Sequence, residues 1–109
     1  MNEDEEVARL QSLYPTARAL KDGGATCVVL PDLPIRSLGQ TFLRTALLYP
    51  HAHGGYLTRL FLSDPIPGKR SDWSSHTLLT RQWWTWSWQN VRPDQAWTAI
   101  LANHLAALK

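Results

Sequence analysis

The stretch TFLRTALLYPHAHGGYLTRLFLS, residues 41–63, decides the fold that we expect for this chain of 109 residues. Its two halves, TFLRTALLYP and YLTRLFLS, are rich in the apolar and aromatic residues that favour strands. The short joint HAHGG contains two glycines, which readily adopt the backbone conformations of a turn. The sequence therefore predicts that the two strands pair as an antiparallel hairpin.

The segment before this hairpin predicts at least one more strand. ATCVVLP, residues 25–31, is apolar and β-branched, follows a DGG turn, and is expected to end at Pro31. DLPIRSLGQ, residues 32–40, has no clear period, and Pro34 and Gly39 favour a loop or a weak edge strand. A meander of three to four strands is the expected core of the fold.

A short helix is predicted at the start of the chain, over residues 3–13. Asn2 with Glu5 three residues later has the spacing of a capping box, and the acidic first turn suits the helix dipole. Apolar residues then recur at helical spacing until Pro15 stops the run.

A second helix is predicted from about residue 94 to residue 108, with Asp94 as its N-cap after Pro93. The residues of its apolar face recur at helical spacing: Trp97, Ile100, Leu101, His104, Leu105 and Leu108. Between the sheet and this helix lies DPIPGKRSDWSSH, Asp64 to His76, which is expected to form a surface loop. The whole chain, residues 1–109, therefore reads as one α+β domain without parallel βαβ units.

Charge and composition argue against a nucleic-acid partner, a signal peptide and a membrane span. Residues 3–6 hold four of the nine acidic side chains, so residues 7–109 carry eleven basic and five acidic ones. That excess could attract an acidic partner, but the basic residues are scattered, so nucleic acid is not the expected partner. An acidic start and the lack of a long apolar run predict a cytoplasmic protein without signal peptide or membrane span.

Four of the six tryptophans fall within the run WWTWSW, residues 83–88. As a strand, this run would place Trp84, Trp86 and Trp88 on one face. As a helix or turn, it would place Trp83 and Trp86 together. Because each indole brings roughly 150–250 Å² of surface, we expect at least half of these rings to be buried as a wall beneath the preceding loop.

Several segments together resemble a bacterial family of ubiquitin-conjugating-enzyme-like proteins. They are GGATCVVLPDLPI, LLYPHAHGG, the spacing of Trp83 and Trp86 followed by Ser87, and RPDQAWTAILANHLAAL. The resemblance implies a fold of the ubiquitin-conjugating (UBC) type and favours the helical or turn-like reading of the tryptophan run. It also implies a place in a bacterial ubiquitin-like conjugation pathway, often linked to phage defence. A ubiquitin-like modifier and an E1-like activating enzyme would be the partners, with no cofactor.

The chain departs from the pattern of conventional ubiquitin-conjugating enzymes. It lacks their His-Pro-Asn motif and the cysteine after the fourth strand, and Cys27 lies within a predicted strand, where cysteines are usually inert. Position 89, a histidine in related sequences, is glutamine. The resemblance therefore implies a modifier carried as an oxyester on a hydroxyl. The candidate catalytic residues are Ser87 first, then Ser74, Ser75 and Thr80, with His76 as a base and Asp72 or Asp64 to orient it.

Two further functions remain open. A domain without catalysis could dock the modifier or the activating enzyme on its sheet and on Trp73, Trp84 and Trp88. Exposed tryptophans could instead bind nucleic acid or carbohydrate, and nucleic-acid binding would weaken with salt. His51 and His53 have a spacing that can bind metal, but no third ligand lies near them in the sequence, so no metal site is expected.

Overall fold

Two helices and one six-stranded antiparallel sheet make up the computed structural model, which describes residues 2–109. In chain order the elements are α1 (Glu3–Leu13), β1 (Arg18–Asp22), β2 (Ala25–Ser37), β3 (Gln40–Tyr49), β4 (Arg59–Leu62), β5 (Ser74–Leu78), β6 (Arg81–Thr85) and α2 (Trp97–Ala106). Strands β1 to β4 form a meander, and β6 and then β5 continue the sheet beyond β4. The α+β class is confirmed, with more strands than the sequence predicts. Neither helix within residues 2–109 is long and apolar enough to cross a membrane.

Helix α1 has the predicted bounds and the predicted cap. The Glu5 backbone N–H donates to Asn2 Oδ1 at 2.8 Å, and Asn2 Nδ2 donates to Glu5 Oε1 at 3.1 Å. Leu10 is fully buried, and Val7 packs against the same core. The capping box and the apolar spacing thus identify this helix correctly.

Strand β2 corrects the expectation that the second strand ends at Pro31. It continues to Ser37 because the register shifts between Leu30 and Leu33, so that both side chains stay on the same face of the sheet. Strand β1, which the sequence analysis missed, pairs with β2 only up to Val29. The later prolines of β2 therefore need not donate a hydrogen bond to β1.

The tryptophan run is a strand and its continuation, which corrects the helical or turn-like expectation. Residues 81–85 form β6, which pairs with β5 along its length and with β4 at Trp84. Leu79 and Thr80 form the two-residue turn between β5 and β6 and have positive φ angles of 53° and 64°. Because neither residue is glycine or asparagine, the sequence does not predict this hairpin.

The sheet buries apolar side chains on both faces. The face that carries the two helices contributes alternate residues of β2, β3 and β4, among them Val28, Leu48 and Leu60, to the main core. The opposite face holds a second group, here called the far-side cluster: Cys27, Val29, Leu47, Tyr49, Phe61 and Trp83. Trp83 and Trp86 therefore lie in different clusters and do not share a face.

Helix α2 begins at Trp97, later than residue 94, and Asp94 is not its N-cap. Asp94 pairs with Arg92, and the N-cap residue Ala96 has no side chain that could accept a hydrogen bond. Glu6 of α1 caps the helix instead, because its Oε1 accepts the Trp97 N–H at 3.1 Å. Glu6 is only 3% exposed. A buried carboxylate at a helix N-terminus complements the helix dipole and joins the two helices.

Beneath α2, His104 is buried in a small polar network. Thr58 Oγ1 donates to the Val91 carbonyl oxygen at 2.8 Å and lies 2.9 Å from His104 Nε2. Burial, followed by the positive charge of Arg59, lowers the pKa of His104 from 6.5 to about 4. The imidazole is therefore neutral in the folded protein at pH 7.

We expect acid to destabilise the fold through His104. The unfolded chain takes up a proton at this residue below about pH 6.5, whereas the folded chain does so only near pH 4, so stability is lost across that interval. The loss amounts to about 3 kcal/mol by pH 4. Urea unfolding at pH 7, 5.5 and 4 measures it, with His104→Gln as the control that cannot titrate. Parallel pH profiles for the two proteins would contradict this assignment.

Candidate functional site

Ser87 lies on the exposed segment after β6, and its backbone is fixed on both sides. Its N–H donates to Asp72 Oδ2 at 2.9 Å, and its carbonyl oxygen accepts from Arg70 at 3.1 Å. Arg70 in turn donates to both carboxylate oxygens of Asp72, and this contact is the main reason why the pKa of Asp72 is lowered. The backbone at Ser87 is thus held in place while its side chain stays at the surface.

The Ser87 hydroxyl has a specific partner, Tyr56. The Tyr56 hydroxyl donates to Ser87 Oγ at 3.0 Å. Tyr56 is positioned by a tight turn, in which its backbone exchanges hydrogen bonds with His53 at 2.9 and 3.0 Å. The two residues between them, Gly54 and Gly55, have φ angles of 56° and 87°, which glycine adopts without strain.

Arg59 lies behind Tyr56 and is 5% exposed. Its guanidinium carbon is 4.0 Å from the centre of the Tyr56 ring and 5.6 Å from that of Phe61. Such stacking of a guanidinium on aromatic rings is favourable. A positive charge therefore lies directly beneath the tyrosine that contacts Ser87.

Two histidines complete the surroundings of Arg59. The His53 ring lies 5.4 Å from Phe61 and 5.9 Å from His76, centre to centre. Burial is the main cause that lowers the pKa of both histidines, and the charge of Arg59 lowers both further. Both imidazoles are therefore neutral at pH 7 and can each donate and accept one hydrogen bond.

The other hydroxyl candidates lie apart from Ser87. Ser74 and Ser75 are exposed and belong to β5, which corrects their expected placement in a loop. Ser74 Oγ is 3.4 Å from His76 Nε2, a long and weak contact, and Ser75 points to the other face of the strand. Thr80 lies in the turn at the opposite end of the hairpin, where its hydroxyl donates to the Leu79 carbonyl oxygen.

The expected catalytic group around His76 does not form in the structure. The Ser87 hydroxyl contacts Tyr56 and not His76, whose ring packs against His53 and Phe61. Asp72 binds Arg70 and the Ser87 N–H, and Asp64 is exposed, so neither is placed to orient the imidazole. Any base for Ser87 has to act through Tyr56 or through solvent.

The three tryptophans expected to bind a partner differ in exposure. Trp88 is 37% exposed, and Arg70 lies over its ring at 5.6 Å. Trp84 is half-buried in β6. Trp73 packs edge-on against the buried Trp86, and its indole N–H donates to the Lys69 carbonyl oxygen. Trp88 thus presents the most accessible ring of the three, next to Ser87.

Cys27 is fully buried in the far-side cluster, as the sequence predicts. Burial, with a smaller contribution from the negative charge of Asp22, raises the pKa of its thiol to about 12. The thiolate that nucleophilic chemistry requires is therefore not populated at pH 7.

His51 and His53 have separate environments in spite of their close spacing. His51 Nε2 lies 3.0 Å from the Thr26 carbonyl oxygen and 3.7 Å from Glu3, whereas His53 packs in the aromatic group of the far-side cluster. Within residues 2–109, no three His, Cys, Asp or Glu side chains are grouped so that they could hold a metal ion.

No family model, curated protein or solved structure matches the chain. A function is therefore proposed from the geometry around Ser87 and Arg59.

Tyr56 and Arg59 are not among the residues predicted from the sequence, although both leave a signal in it. Arg59 is a charged residue within the apolar run YLTRLFLS. Charged side chains are rarely buried, so an arginine that is buried in such a strand is a candidate functional residue. The two glycines of His53-Gly54-Gly55-Tyr56 predict a tight turn, which places His53 and Tyr56 opposite each other. What the sequence could not show is that Tyr56 meets Ser87, 31 positions along the chain.

Proposed function

We propose that this chain is a UBC-like component of a bacterial ubiquitin-like conjugation pathway, and that Ser87 receives the modifier as an oxyester. The observation that carries the proposal is the contact of Ser87 Oγ with the Tyr56 hydroxyl at 3.0 Å, on a backbone fixed by Asp72 and Arg70. Within residues 2–109, no other candidate hydroxyl is both exposed and placed by side chains in this way. The helix, meander and helix order agrees with the proposed fold.

The chemistry is an acyl transfer. Ser87 Oγ attacks the carbonyl carbon of the modifier's activated C-terminal glycine, and the new ester C–O bond forms as the bond to the leaving group breaks. The serine proton is released and the leaving group takes up a proton, so no other reactant is needed. The Tyr56 hydroxyl positions the attacking oxygen, and the Arg59 charge beneath it favours negative charge that develops nearby.

An adduct assay tests this proposal. The protein is mixed with ATP and with a ubiquitin-like protein and activating enzyme encoded beside its gene, and any adduct is located by mass spectrometry. We expect an adduct at Ser87 that resists mild thiol reductant but is cleaved by hydroxylamine or alkali. Ser87→Ala should abolish it, and Tyr56→Phe should slow its formation.

Matched variants identify the reacting group. Ser74→Ala, Ser75→Ala, Thr80→Ala and Cys27→Ser should each leave the adduct in place, because none of these side chains contacts the Ser87 hydroxyl. An adduct that survives Ser87→Ala but disappears in one of these variants would show that the nucleophile has been misassigned.

A binding module without catalysis is the second candidate function, and one observation favours it. Leu57 and Trp88 are 44% and 37% exposed, and each adjoins one member of the Tyr56–Ser87 contact in sequence. Tryptophan is enriched at protein–protein interfaces, so an exposed Trp88 beside Ser87 favours docking at this place. Tight binding of modifier or activating enzyme, with no adduct at any hydroxyl and with binding lost in Trp88→Ala, would establish this function instead.

A further inference from the structure

Arg59 is a buried charge without a counter-ion. It is 5% exposed, and among the side chains of residues 2–109 it has no carboxylate within 4.0 Å and no hydrogen-bond acceptor. Its Nε is sealed from solvent and unpaired. A buried, unpaired ion is costly, so proteins usually supply it with a partner.

The N–H donors of Arg59 lie in the plane of its guanidinium and point outward along its edge. The guanidinium carbon lies over the rings of Tyr56 and Phe61, 4.0 and 5.6 Å from their centres, and these rings offer its donors no oxygen or nitrogen acceptor. Near that edge is Gly54, where an added Cβ atom would lie 3.4 Å from Arg59 Nη1. The absent side chain at Gly54 therefore leaves the terminal nitrogens open to a ligand.

His53 adds a second unsatisfied group at the same place. Its Nδ1 atom is buried and has no hydrogen-bond partner among the described residues. His53 forms the other side of the Gly54–Gly55 turn, and its ring packs against Phe61, as Arg59 does. Two unpaired polar groups thus flank one glycine turn.

The charge of the ligand follows from the charges around it. Arg59 carries one fixed positive charge, while His53 and His76 are neutral at pH 7 because burial and Arg59 lower their pKa values. A single negative charge would be balanced, whereas a divalent anion would leave one charge uncompensated in a partly buried site. A planar anion with two oxygens also matches the edge of a guanidinium.

We propose that Arg59, at the Gly54–Gly55 turn, binds a singly charged carboxylate through the edge of its guanidinium, with His53 as a further hydrogen-bonding group. Both small organic acids and polypeptide C-termini present this chemistry. The inference does not depend on the proposed function, since it concerns free carboxylates and the unmodified chain.

Titration at constant ionic strength, followed by the NMR signals of the Gly54 and Gly55 amides and of the Arg59 Nε–H, tests the inference. The probes are acetate, sulfate, chloride and two glycine-ended peptides that differ only in a free or an amidated C-terminus. We expect acetate to bind, sulfate to bind more weakly and chloride to leave the signals unchanged. Preference for the free peptide over acetate identifies a polypeptide C-terminus as the ligand, and preference for acetate identifies a small acid.

Two pairs of variants control the experiment. Arg59→Met should weaken acetate binding about tenfold or more, while Arg81→Met should leave it unchanged. Arg81 is a suitable control because its guanidinium also lies over an aromatic ring, that of Trp83 at 4.5 Å. Gly54→Asn should weaken binding by covering Nη1 while keeping the charge. Gly55→Asn should not, because an added Cβ there meets nothing within 4 Å.

The second pair keeps the inference testable if Arg59→Met does not fold, because asparagine adopts positive φ more readily than most residues and both variants carry the same substitution. Equal acetate affinity in Gly54→Asn and Gly55→Asn would overturn the inference. So would sulfate that binds as tightly as acetate, signal changes that chloride reproduces, or no response to any carboxylate.

Discussion

Replacing Phe61 by alanine is expected to destabilise the fold by about 3–5 kcal/mol, as loss of a buried aromatic ring does. Phe61 is fully buried on the sheet face opposite the helices. Its ring contacts Tyr49, His53 and His76, and Arg59 stacks above it. Because a domain of this size has about 5–15 kcal/mol of stability in total, the variant should lose a substantial part of its free energy of unfolding.

Phe42, the other phenylalanine of the chain, is the matched control. It is only partly buried, at the edge of the main core, so Phe42→Ala should cost distinctly less than Phe61→Ala. Urea unfolding monitored by tryptophan fluorescence compares the two. Equal losses would contradict the larger stabilisation that we assign to Phe61 in the far-side cluster.

Leu101→Ala is expected to cost about 2–5 kcal/mol, because α2 belongs to the main core. Leu101 is 3% exposed and lies in the same core as Leu10 of α1. Removal of its side chain leaves a cavity between the helices and the sheet, and the melting temperature should fall accordingly.

Leu105→Ala serves as the comparison on the same helix. Leu105 is only partly buried at the margin of the core, so its loss should be the smaller of the two. Calorimetric melting of both variants measures the difference. Near-neutral values for both would mean that α2 is a peripheral helix.

The sequence predicts those elements whose signals are local. α1 was readable because Asn2, Glu5 and the apolar spacing all lie within one short segment, and the β3–β4 hairpin because its strands flank a glycine turn. The burial of Cys27 followed in the same way from its apolar neighbours in the strand.

The remaining features depend on contacts between distant residues or on unusual backbone conformations. Nothing in a turn of Leu79 and Thr80 signals a hairpin, because such residues rarely adopt positive φ. β2 passes Pro31 through a register shift, and the N–H at the start of α2 is accepted by Glu6, which lies 91 positions earlier. The candidate site shares this limit, since the resemblance implies Ser87 as a candidate, whereas its contact with Tyr56 joins residues 31 positions apart.

The hydrogen bond between Glu6 and the Trp97 N–H affects how the protein folds during its synthesis. It joins residues 91 positions apart, so it closes a loop that contains the whole sheet. Contacts of such large separation form late, because much chain entropy is lost before they stabilise anything. During synthesis, α1 must wait for Trp97 to leave the ribosome before its glutamate finds a donor. A ribosome that stops before residue 97 therefore releases a chain with its main core uncovered, which chaperones and proteases recognise.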